Sequence, residues 1–445
     1  MPFHAEFRCL KGCEDVRFPV TTPIYRCPSC NGLLDVHHDL EALRQRSGDE
    51  WKALFDERRC RGAWPLSSGV WSKHEWVAPT LPVERIVSMG EGHSTLLKAE
   101  AYGERIGLSS LWLKLCGNSH TGSFKDLGMT VLVSMVGQAI AEGHDIKAIG
   151  CASTGDTSAA LAAYGAKAKL PVVVLLPKGK VSTAQLVQPI AAGAKVLALD
   201  TDFDGCMHII GQLAKKGVLY LANSMNALRI EGQKTVVVEI CQQLGWDVPD
   251  WLVLPSGNLG NGYAMYCGFS MMKALGLVDR MPRLVLAQAQ NANPLYLAHQ
   301  QGKTEVDAVT AKPTVASAIQ IGNPVSAPRA MAALEAMNGL VEQASEDELC
   351  RAAAQGDATG LYVCPHTAVA LAATQKLVAA GTIKRDDRVV VVSTANALKF
   401  TEFKVKYHES ALDEVTSDLA NPPVELPADL GRVEHEIDAL GTVTS

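Results

Sequence analysis

Between Lys147 and Asn396 the chain repeats one arrangement of apolar and polar positions. Each repeat has a short run rich in β-branched residues, then a turn, and usually a longer stretch with helical spacing. The runs read KAIGCAST, PVVVLLP, KVLALD, VLYLANS, DWLVLPSG, PRLVLAQAQ, LYVCPH and RVVVVSTAN. Strands that are apolar on both faces and alternate with helices are typical of a parallel sheet that is covered on both sides. The pattern predicts an α/β fold of the doubly wound class with right-handed crossovers.

Small polar residues collect in loops that follow these predicted strands. The loops read CASTGDT, ANSMNALR, PSGNLGNG, CPHTA and STANALKF. Doubly wound sheets bind ligands beyond the carboxyl ends of their strands, so we expect these loops to meet at one site. Alternatively, Gly, Ser, Thr and Asn serve only as turn formers, which accounts for any single loop but poorly for all of them together.

The segments outside the repeat have a different composition. Residues 1–88 lack the pattern and contain five of the 12 cysteines, four of them in two close pairs, together with several tryptophans, so we predict that they form a separate N-terminal unit. The tail, residues 426–445, has little apolar periodicity, and we predict that it is peripheral.

Composition excludes some functions. Of the 445 residues, 47% are hydrophobic and 20% are charged, as in an ordinary globular protein of two or three domains. The formal net charge is −6 and no basic block is present, so nucleic acid is not an expected partner. The first residues resemble neither a signal peptide nor a membrane span, and we expect a cytoplasmic protein. Eight of the 12 cysteines lie in apolar segments and are expected to be reduced core residues.

One lysine stands in an unusual position. Lys125 follows Thr-Gly-Ser-Phe in the stretch NSHTGSFKDLGMT and directly precedes a predicted helix. An amine forms an imine with an aldehyde only when it is neutral, and burial or cationic neighbours lower a lysine pKa toward neutral pH. The positive end of the helix dipole acts in the same direction. The aldehyde that best suits such a lysine is pyridoxal phosphate, which also requires a separate phosphate site. The alternative is an ordinary surface lysine.

The loop PSGNLGNG is a candidate for that phosphate site. Gly257, Asn258, Gly260 and Asn261 lie between a predicted strand and a predicted helix, where backbone N–H groups can converge on a dianion. A glycine-rich loop alone is also compatible with nucleotides. We do not favour a dinucleotide, because the spacing is G-x-x-G-x-G and no acidic ribose partner follows a second strand at the expected distance.

The motifs HTGSFKDLGMT, CASTGDTSAALAAY, LPSGNLGNGYAM, AIQIGNPVS and CPHTAVALAA occur in this order. Over about residues 60–410 the set resembles the threonine synthases, pyridoxal phosphate enzymes of the tryptophan synthase β-like fold (fold type II). The stretches LLDVHHDLEAL and WPLSSGVWSKHEWV resemble the plant-like branch of that family.

The resemblance implies an architecture and an activity. It implies two doubly wound parallel-sheet domains in addition to the N-terminal unit: a large cofactor-binding domain, residues 89–125 and 223–425, and a small substrate-closing domain, residues 126–222. The implied enzyme is a lyase that converts O-phospho-L-homoserine and water to L-threonine and phosphate. A homodimer is also implied.

The resemblance further implies roles for individual residues. Lys125 is similar to the lysine that binds the cofactor covalently and later moves protons at the substrate carbons. The loop that binds the cofactor phosphate in this family is similar to the stretch with Gly257, Asn258, Gly260 and Asn261. The residues similar to those that bind the substrate are Ser153, Thr154, Thr157, Asn223, Ser224 and Arg229. Thr394 matches the hydroxyl that faces the pyridine nitrogen of the cofactor.

Asp156 departs from the pattern of many relatives. In those relatives the motif reads STGN, and the asparagine amide meets the 3′ oxygen of the cofactor, whereas this chain reads STGD. A carboxylate in this position repels an anionic oxygen unless the two share a proton. Sequences similar to the plant-like branch also carry aspartate here, and we predict that Asp156 is a cofactor contact.

Other interpretations stay open at this point. A serine or threonine dehydratase of the same fold needs no second phosphate pocket, so the loop with Asn223, Ser224 and Arg229 separates the two enzymes. A catalytically silent binding protein on this fold would purify without cofactor. Arg229 is alternatively the charged start of a solvated helix, Thr394 the end of a strand, and His366 a packed histidine rather than a catalyst.

Four cysteines in the N-terminal unit form two pairs, Cys9 with Cys13 and Cys27 with Cys30. Two such pairs separated by a short span resemble a zinc ribbon, and the CPSC pair has the tight turn that a tetrahedral site needs. The CLKGC pair is one residue wider than the usual gap. We predict a structural zinc ion here, with free cysteines as the alternative, and we do not expect a catalytic zinc.

Overall fold

The computed structural model describes residues 3–153, 155–179 and 183–440. Its strands are β1 (Ala5–Cys9), β2 (Arg17–Pro19), β3 (Leu34–His38), β4 (Leu96–Lys98), β5 (Ser110–Leu115), β6 (Ile149–Ala152), β7 (Val172–Pro177), β8 (Lys195–Leu199), β9 (Tyr220–Leu221), β10 (Trp251–Pro255), β11 (Arg283–Ala289), β12 (Leu340–Ala344) and β13 (Arg388–Ser393).

Helices alternate with most of these strands. The α-helices are α1 (Leu40–Leu43), α2 (Gly48–Arg61), α3 (His74–Val77), α4 (Glu100–Ile106), α5 (Lys125–Ala141), α6 (Asp156–Lys167), α7 (Thr183–Ala191), α8 (Phe203–Lys215), α9 (Leu228–Gln233), α10 (Thr235–Gln243), α11 (Gly260–Ala274), α12 (Pro294–Gln300), α13 (Ala327–Ala336), α14 (Glu346–Asp357), α15 (Pro365–Ala379), α16 (Thr401–His408) and α17 (Leu430–Ala439). Across the described residues, no helix combines the length and the apolarity that crossing a membrane requires.

The strands form three sheets. Near the N-terminus β1 pairs antiparallel with both neighbours in the order β2-β1-β3. The largest sheet has the order β12-β11-β10-β13-β5-β4 and is parallel except for its edge strand β4. The third sheet has the order β8-β7-β6-β9 and is parallel throughout. The predicted α/β fold with two parallel sheets linked by crossover helices is therefore confirmed.

The predicted domain boundaries stay a proposal, which the distribution of the strands supports. Every strand of the four-stranded sheet lies between Ile149 and Leu221, and the strands of the six-stranded sheet lie outside that interval. Over the ranges that the structure describes, the strands of the N-terminal sheet pair only with one another. Its buried side chains, such as Phe7, nevertheless belong to the same apolar core as Met129 of α5 and Phe269 of α11. The N-terminal residues are thus packed firmly against the rest of the chain.

Helix α5 packs against α9 and α6, and this packing decides what surrounds its first residue. A Cβ on Gly232 of α9 would lie 1.7 Å from the carbonyl oxygen of Leu127, so only glycine allows the two helices to approach this closely. The same approach brings the backbone of Arg229 against Gly128, in the first turn of α5. Lys125 and Arg229 therefore belong to two helix starts that lie side by side.

Within the described residues of the repeat, one predicted strand is absent and one observed strand was not predicted. The run LYVCPH forms no strand, because its Val363 makes only an isolated bridge, to Asn396. Cys364 caps α15 instead, and Pro365 lacks the N–H that a central strand needs. The strand β12, which the sequence analysis did not identify, completes the sheet at its edge. Its partly exposed Glu342 and Gln343 interrupt the apolar run that marks central strands.

Candidate active site

A cavity of about 860 Å³ lies beyond the carboxyl ends of β6, β9, β10 and β13. Each loop of small polar residues singled out in the sequence contributes to its wall, as expected for a doubly wound fold. The predicted site residues that line it are Lys125, Ser153, Asp156, Thr157, Asn223, Ser224, Arg229, Gly257, Asn258, Gly260, Asn261 and Thr394. Thr154 lies outside the described residues. The structure thus brings the other candidates together, and their individual roles stay predictions.

Lys125 is the first residue of α5, and its side chain reaches into the cavity. Burial lowers its pKa to about 7, and the nearby cations Arg229 and Lys399 act in the same direction, while Asp156 opposes them. The Lys125 Nζ lies 3.8 Å from the centroid of the Phe124 ring. Because its pKa is near neutrality, a large fraction of this amine is unprotonated and nucleophilic at pH 7.

The loop between β10 and α11 forms a cradle at a helix start. The first N–H groups of an α-helix have no acceptor within the helix, so those at the start of α11 are available to an anion. Asn261 Nδ2 donates to the Pro255 carbonyl at 2.8 Å and holds the two ends of the loop together. A Cβ on Gly257 would lie 2.8 Å from Ile319 Cα, so this position accepts only glycine without a backbone shift. The geometry suits a phosphate dianion.

Arg229 supplies a second candidate anion position in the same cavity. Its side chain is buried, and Nη1 donates to the Ala222 carbonyl at 3.2 Å. Its Nε has no hydrogen-bond partner among the described residues. Burial lowers its pKa to about 10, which still leaves it charged at neutral pH. A buried guanidinium with an unused donor is costly for the protein, and an anionic ligand would remove that cost.

The neighbouring predicted substrate residues divide into two groups. Asn223 turns its amide to the end of β6, where Oδ1 accepts from Ala152 N at 3.1 Å and Nδ2 donates to Ala152 O at 2.9 Å. Asn223 therefore fixes its own loop to the adjacent strand. Ser153 Oγ accepts from Gly155 N at 3.3 Å. Within the part of the chain that the structure describes, the hydroxyls of Thr157 and Ser224 form no hydrogen bond, so they can meet a ligand.

Asp156 has a partner that the sequence analysis missed. Its carboxylate lies 2.7 Å from Lys399 Nζ, and that ammonium also donates to the Thr121 carbonyl at 3.0 Å. Lys399 stands in the loop STANALKF, which was singled out for Thr394, but nothing local in the sequence links it to a carboxylate in α6. The expected repulsion between Asp156 and an anionic cofactor oxygen is therefore reduced, because a cation lies against the carboxylate.

Thr394 and His366 complete this side of the wall. Thr394 is buried at the end of β13, and its carbonyl accepts from Phe124 N at 2.9 Å, which ties this strand to the start of α5. The buried His366 Nε2 accepts from Ala318 N at 3.0 Å, and burial lowers the histidine pKa to about 4. This ring also packs edge-on against Phe400, with centroids 4.8 Å apart. His366 is thus neutral at pH 7 and packed in the cavity wall, as in the interpretation of this residue as a packed histidine rather than a catalyst.

These residues fit pyridoxal phosphate. A reactive amine, a helix start shaped for a phosphate and a neutral hydroxyl are the three groups that such a cofactor needs, and all three line one cavity. The candidates to hold it are Lys125 for the aldehyde, the loop from Gly257 to Asn261 for the phosphate, and Thr394 for the pyridine nitrogen.

Comparisons with known proteins show the family of this chain. Residues 87–395 match the profile of the family described as pyridoxal-phosphate dependent enzyme. The chain is 55% identical to threonine synthase 2, chloroplastic, of Arabidopsis thaliana, over 92% of this chain and 80% of that protein. It is 36% identical to the threonine synthase of Methanocaldococcus jannaschii, over 91% of this chain and 95% of the relative.

Solved structures show the same fold. The crystal structure of threonine synthase from Escherichia coli superposes with a TM-score of 0.70 at 21% identity, covering 98% of this chain and 100% of that one. PLP-bound threonine synthase from Brucella melitensis gives a TM-score of 0.68 at 18% identity, covering 98% and 99%. At such identities the likeness concerns the fold, and the family follows from the closer relatives and the matched profile. The chain belongs to the pyridoxal-phosphate-dependent enzymes and, among them, to the threonine synthases.

Proposed function

We propose that this chain converts O-phospho-L-homoserine and water to L-threonine and phosphate, with pyridoxal phosphate as its cofactor. The observation that carries the proposal is that one cavity combines two separate anion positions with an amine of lowered pKa. One anion position is the start of α11 and the other is Arg229. A phosphorylated substrate that reacts beside a phosphorylated cofactor needs both.

Lys125 performs the proton transfers in this proposal. Bound pyridoxal phosphate withdraws electrons from the substrate carbons and so makes their protons acidic. Lys125 would hold the cofactor, and its amine, when free, would move protons at Cα, Cβ and Cγ of the substrate. A pKa of about 7 suits both halves of this work, because the amine and the ammonium are both populated at neutral pH. Phosphate leaves from Cγ, and water adds at Cβ to give threonine.

Arg229 binds the substrate phosphate in this proposal. A guanidinium binds phosphate through parallel N–H donors, and its buried position makes the interaction stronger than it would be in water. The free hydroxyls of Ser224 and Thr157 line the same cavity and can donate to substrate oxygens. Asn223 contributes indirectly, by fixing its loop to β6.

Asp156 and Lys399 are proposed to act as a neutral pair beside the cofactor. The pair joins the start of α6 to the turn Ala397–Lys399, on another side of the cavity wall. It also sets the local charge, because Asp156 raises the pKa of Lys125 and Lys399 lowers it. Thr394 offers a hydroxyl rather than a carboxylate to the pyridine nitrogen, so the nitrogen stays largely unprotonated and the electron withdrawal is moderate.

The decisive experiment measures phosphate release and threonine formation from O-phospho-L-homoserine by the purified protein. Wild type should be yellow from bound cofactor and should form the two products in equal amounts. Lys125→Ala should lose the covalently bound cofactor's visible absorbance and lose activity by on the order of 10³-fold or more. Lys147→Ala, at an exposed lysine in the loop before β6, is the matched control and should behave as wild type. A yellow wild type that releases no phosphate from this substrate would overturn the proposal.

The dehydratase alternative is tested at Arg229. Arg229→Gln removes the charge and leaves a shorter, neutral polar side chain, and we expect KM for the phosphorylated substrate to rise about 10- to 100-fold, as for a lost charged hydrogen bond. Any activity on serine should change much less, because serine carries no phosphate. Arg432→Gln, at an exposed position in α17, is the control. Equal losses with both substrates would favour the dehydratase.

Two further expectations from the sequence remain proposals. A homodimer is implied by the resemblance, and light scattering after gel filtration measures the mass directly. A cytoplasmic location is likewise proposed, and fractionation of the source cells tests it.

A further inference from the structure

Four cysteines outside the cavity lie together. The sulfur atoms of Cys9, Cys13, Cys27 and Cys30 all lie within 4.8 Å of one another, and Cys9 Sγ is 3.5 Å from Cys30 Sγ. A disulfide bond would bring two of these sulfurs to about 2.05 Å, so all four are free thiols here. None of them lines the candidate active site.

The spacing of the sulfurs is compatible with a tetrahedral metal site. A zinc–thiolate bond of about 2.3 Å places the four sulfurs of a tetrahedron about 3.8 Å apart. The observed Cys9–Cys30 separation of 3.5 Å is close to that value, and the remaining pairs fall inside the 4.8 Å limit. Four mutually close sulfurs with no bond between them are difficult to explain by core packing alone, because Cys30 is exposed and Cys13 is only half-buried.

Backbone groups hold the cysteines in place. Cys27 N donates to Gly32 O and Asn31 N donates to Cys27 O, both at 2.9 Å, and these bonds close the second turn. Asn31 has a φ of 55°, in the left-handed region that asparagine tolerates, and this lets the chain reverse directly after Cys30. In the first turn, Lys11 N donates to Cys9 Sγ at 3.3 Å. N–H donors that point at sulfur stabilise thiolates, the form that binds a metal.

We propose that these four cysteines bind one Zn²⁺ ion with a structural role. A set of four thiolates fills the tetrahedral coordination of zinc and leaves no position for water or substrate, which is the hallmark of a structural site. The site goes beyond the proposed reaction, because the cavity and its chemistry do not depend on the sulfurs.

The position of the site indicates what it stabilises. Cys9 ends β1, and β3, which pairs with β1, begins four residues after Cys30. On β3, the carboxylate of Asp35 accepts from Arg329 Nε at 2.8 Å and from Tyr263 OH of α11 at 2.7 Å. The metal site therefore fastens the end of a sheet that packs against the helix whose first residues form the phosphate cradle.

A second contact from β3 reaches the helix that carries Arg229. His38 Nε2 lies 2.6 Å from Glu231 of α9, and Lys234 lies 2.5 Å from the same carboxylate. A third contact joins the segment between the two cysteine pairs to β9, because Tyr25 OH accepts a hydrogen bond from Leu221 N at 2.9 Å. We therefore expect loss of the metal to loosen the packing of the N-terminal sheet, with effects on stability that exceed those on the chemistry.

The test measures the metal content of the full-length protein by plasma mass spectrometry. Wild type, purified without chelator, should hold one zinc per chain. Cys27→Ser and Cys30→Ser should each lose most of that zinc and unfold at a lower temperature. Cys60 is exposed in α2 because it stands among charged residues, so the expectation that all eight cysteines outside the cluster are core residues is wrong for it. Cys60→Ser is therefore the control and should keep both the zinc and the melting temperature.

A second measurement does not depend on the folding of a variant. Zinc is removed from wild type with a chelator and replaced by Co²⁺, and the spectrum of the zinc form of the same protein is subtracted so that the absorbance of the cofactor cancels. Four thiolates around Co²⁺ give intense sulfur-to-metal charge-transfer bands and the visible bands of a tetrahedral site. Wild-type protein without zinc, cluster variants that retain zinc at the wild-type level, stoichiometric iron in place of zinc, or cobalt without thiolate bands would each overturn the proposal.

Discussion

Because the pKa of Lys125 is lowered, the free energy of unfolding should depend on pH in a way that can be measured without substrate. In the folded protein without cofactor the pKa is about 7, against an ordinary 10.5, because the amine is buried next to Arg229 and Lys399. A difference of this size means that keeping the ammonium in the folded protein costs about 5 kcal/mol at low pH. Replacing Lys125 with methionine, which cannot be charged, removes that cost.

The pH dependence follows from which state binds more protons. Between about pH 7 and about pH 10.5 the unfolded chain keeps the proton on Lys125 while the folded chain has released it, so wild-type stability rises with pH in this window. Below that window the cost is fully present, and above it the cost is gone. From about pH 6.5 to about pH 9 the wild type should gain about 2.5 kcal/mol relative to Lys125→Met.

Urea unfolding of the two proteins without cofactor, at about pH 6.5 and about pH 9, measures this difference. Lys125→Met should be the more stable protein at both values, by a margin that shrinks as pH rises. Lys147→Met, at an exposed position, controls for the general effect of losing a lysine. A margin between wild type and Lys125→Met that stays constant across the two pH values would refute the argument that the amine is neutral in the folded site.

Three other substitutions in the site test the charge balance around Lys125 and the candidate phosphate loop. Asp156→Asn removes the negative charge that raises the pKa of Lys125, so the acidic limb of the kcat profile, which reports the substrate complex with Lys125 freed, should move to lower pH. Lys399→Met removes a cation and should move that limb to higher pH. Shifts in the same direction would contradict the proposed charge balance. Gly257→Ala should weaken cofactor binding at least about tenfold in a titration of the visible absorbance, because the added methyl collides with backbone. Gly137→Ala, which has open space around it in α5, should bind the cofactor as wild type does.

The loops of the site could be predicted because their chemistry is local. A lysine directly before a helix, glycines that allow a close approach after a strand, and small hydroxyl residues at helix starts each mark the chain where they stand. The rule that ligands bind at the carboxyl ends of parallel strands then groups them. The strand β12 could not be predicted from its pattern, because an edge strand with Glu342 and Gln343 lacks the apolar run that identifies central strands.

Local sequence was sufficient to predict the fold class and to single out the candidate lysine, the candidate phosphate loop and the paired cysteines, since each depends on neighbours along the chain. Packing sets the ionic partner of Asp156, because Lys399 stands far from it in sequence and meets it only in the folded chain. The same packing places the Asn223 amide in hydrogen bonds with the end of β6. It also buries the Arg229 side chain, whose Nε has no hydrogen-bond partner among the described residues. Pair contacts and burial depend on which surfaces the helices and sheets present to each other, and local pattern does not contain that information.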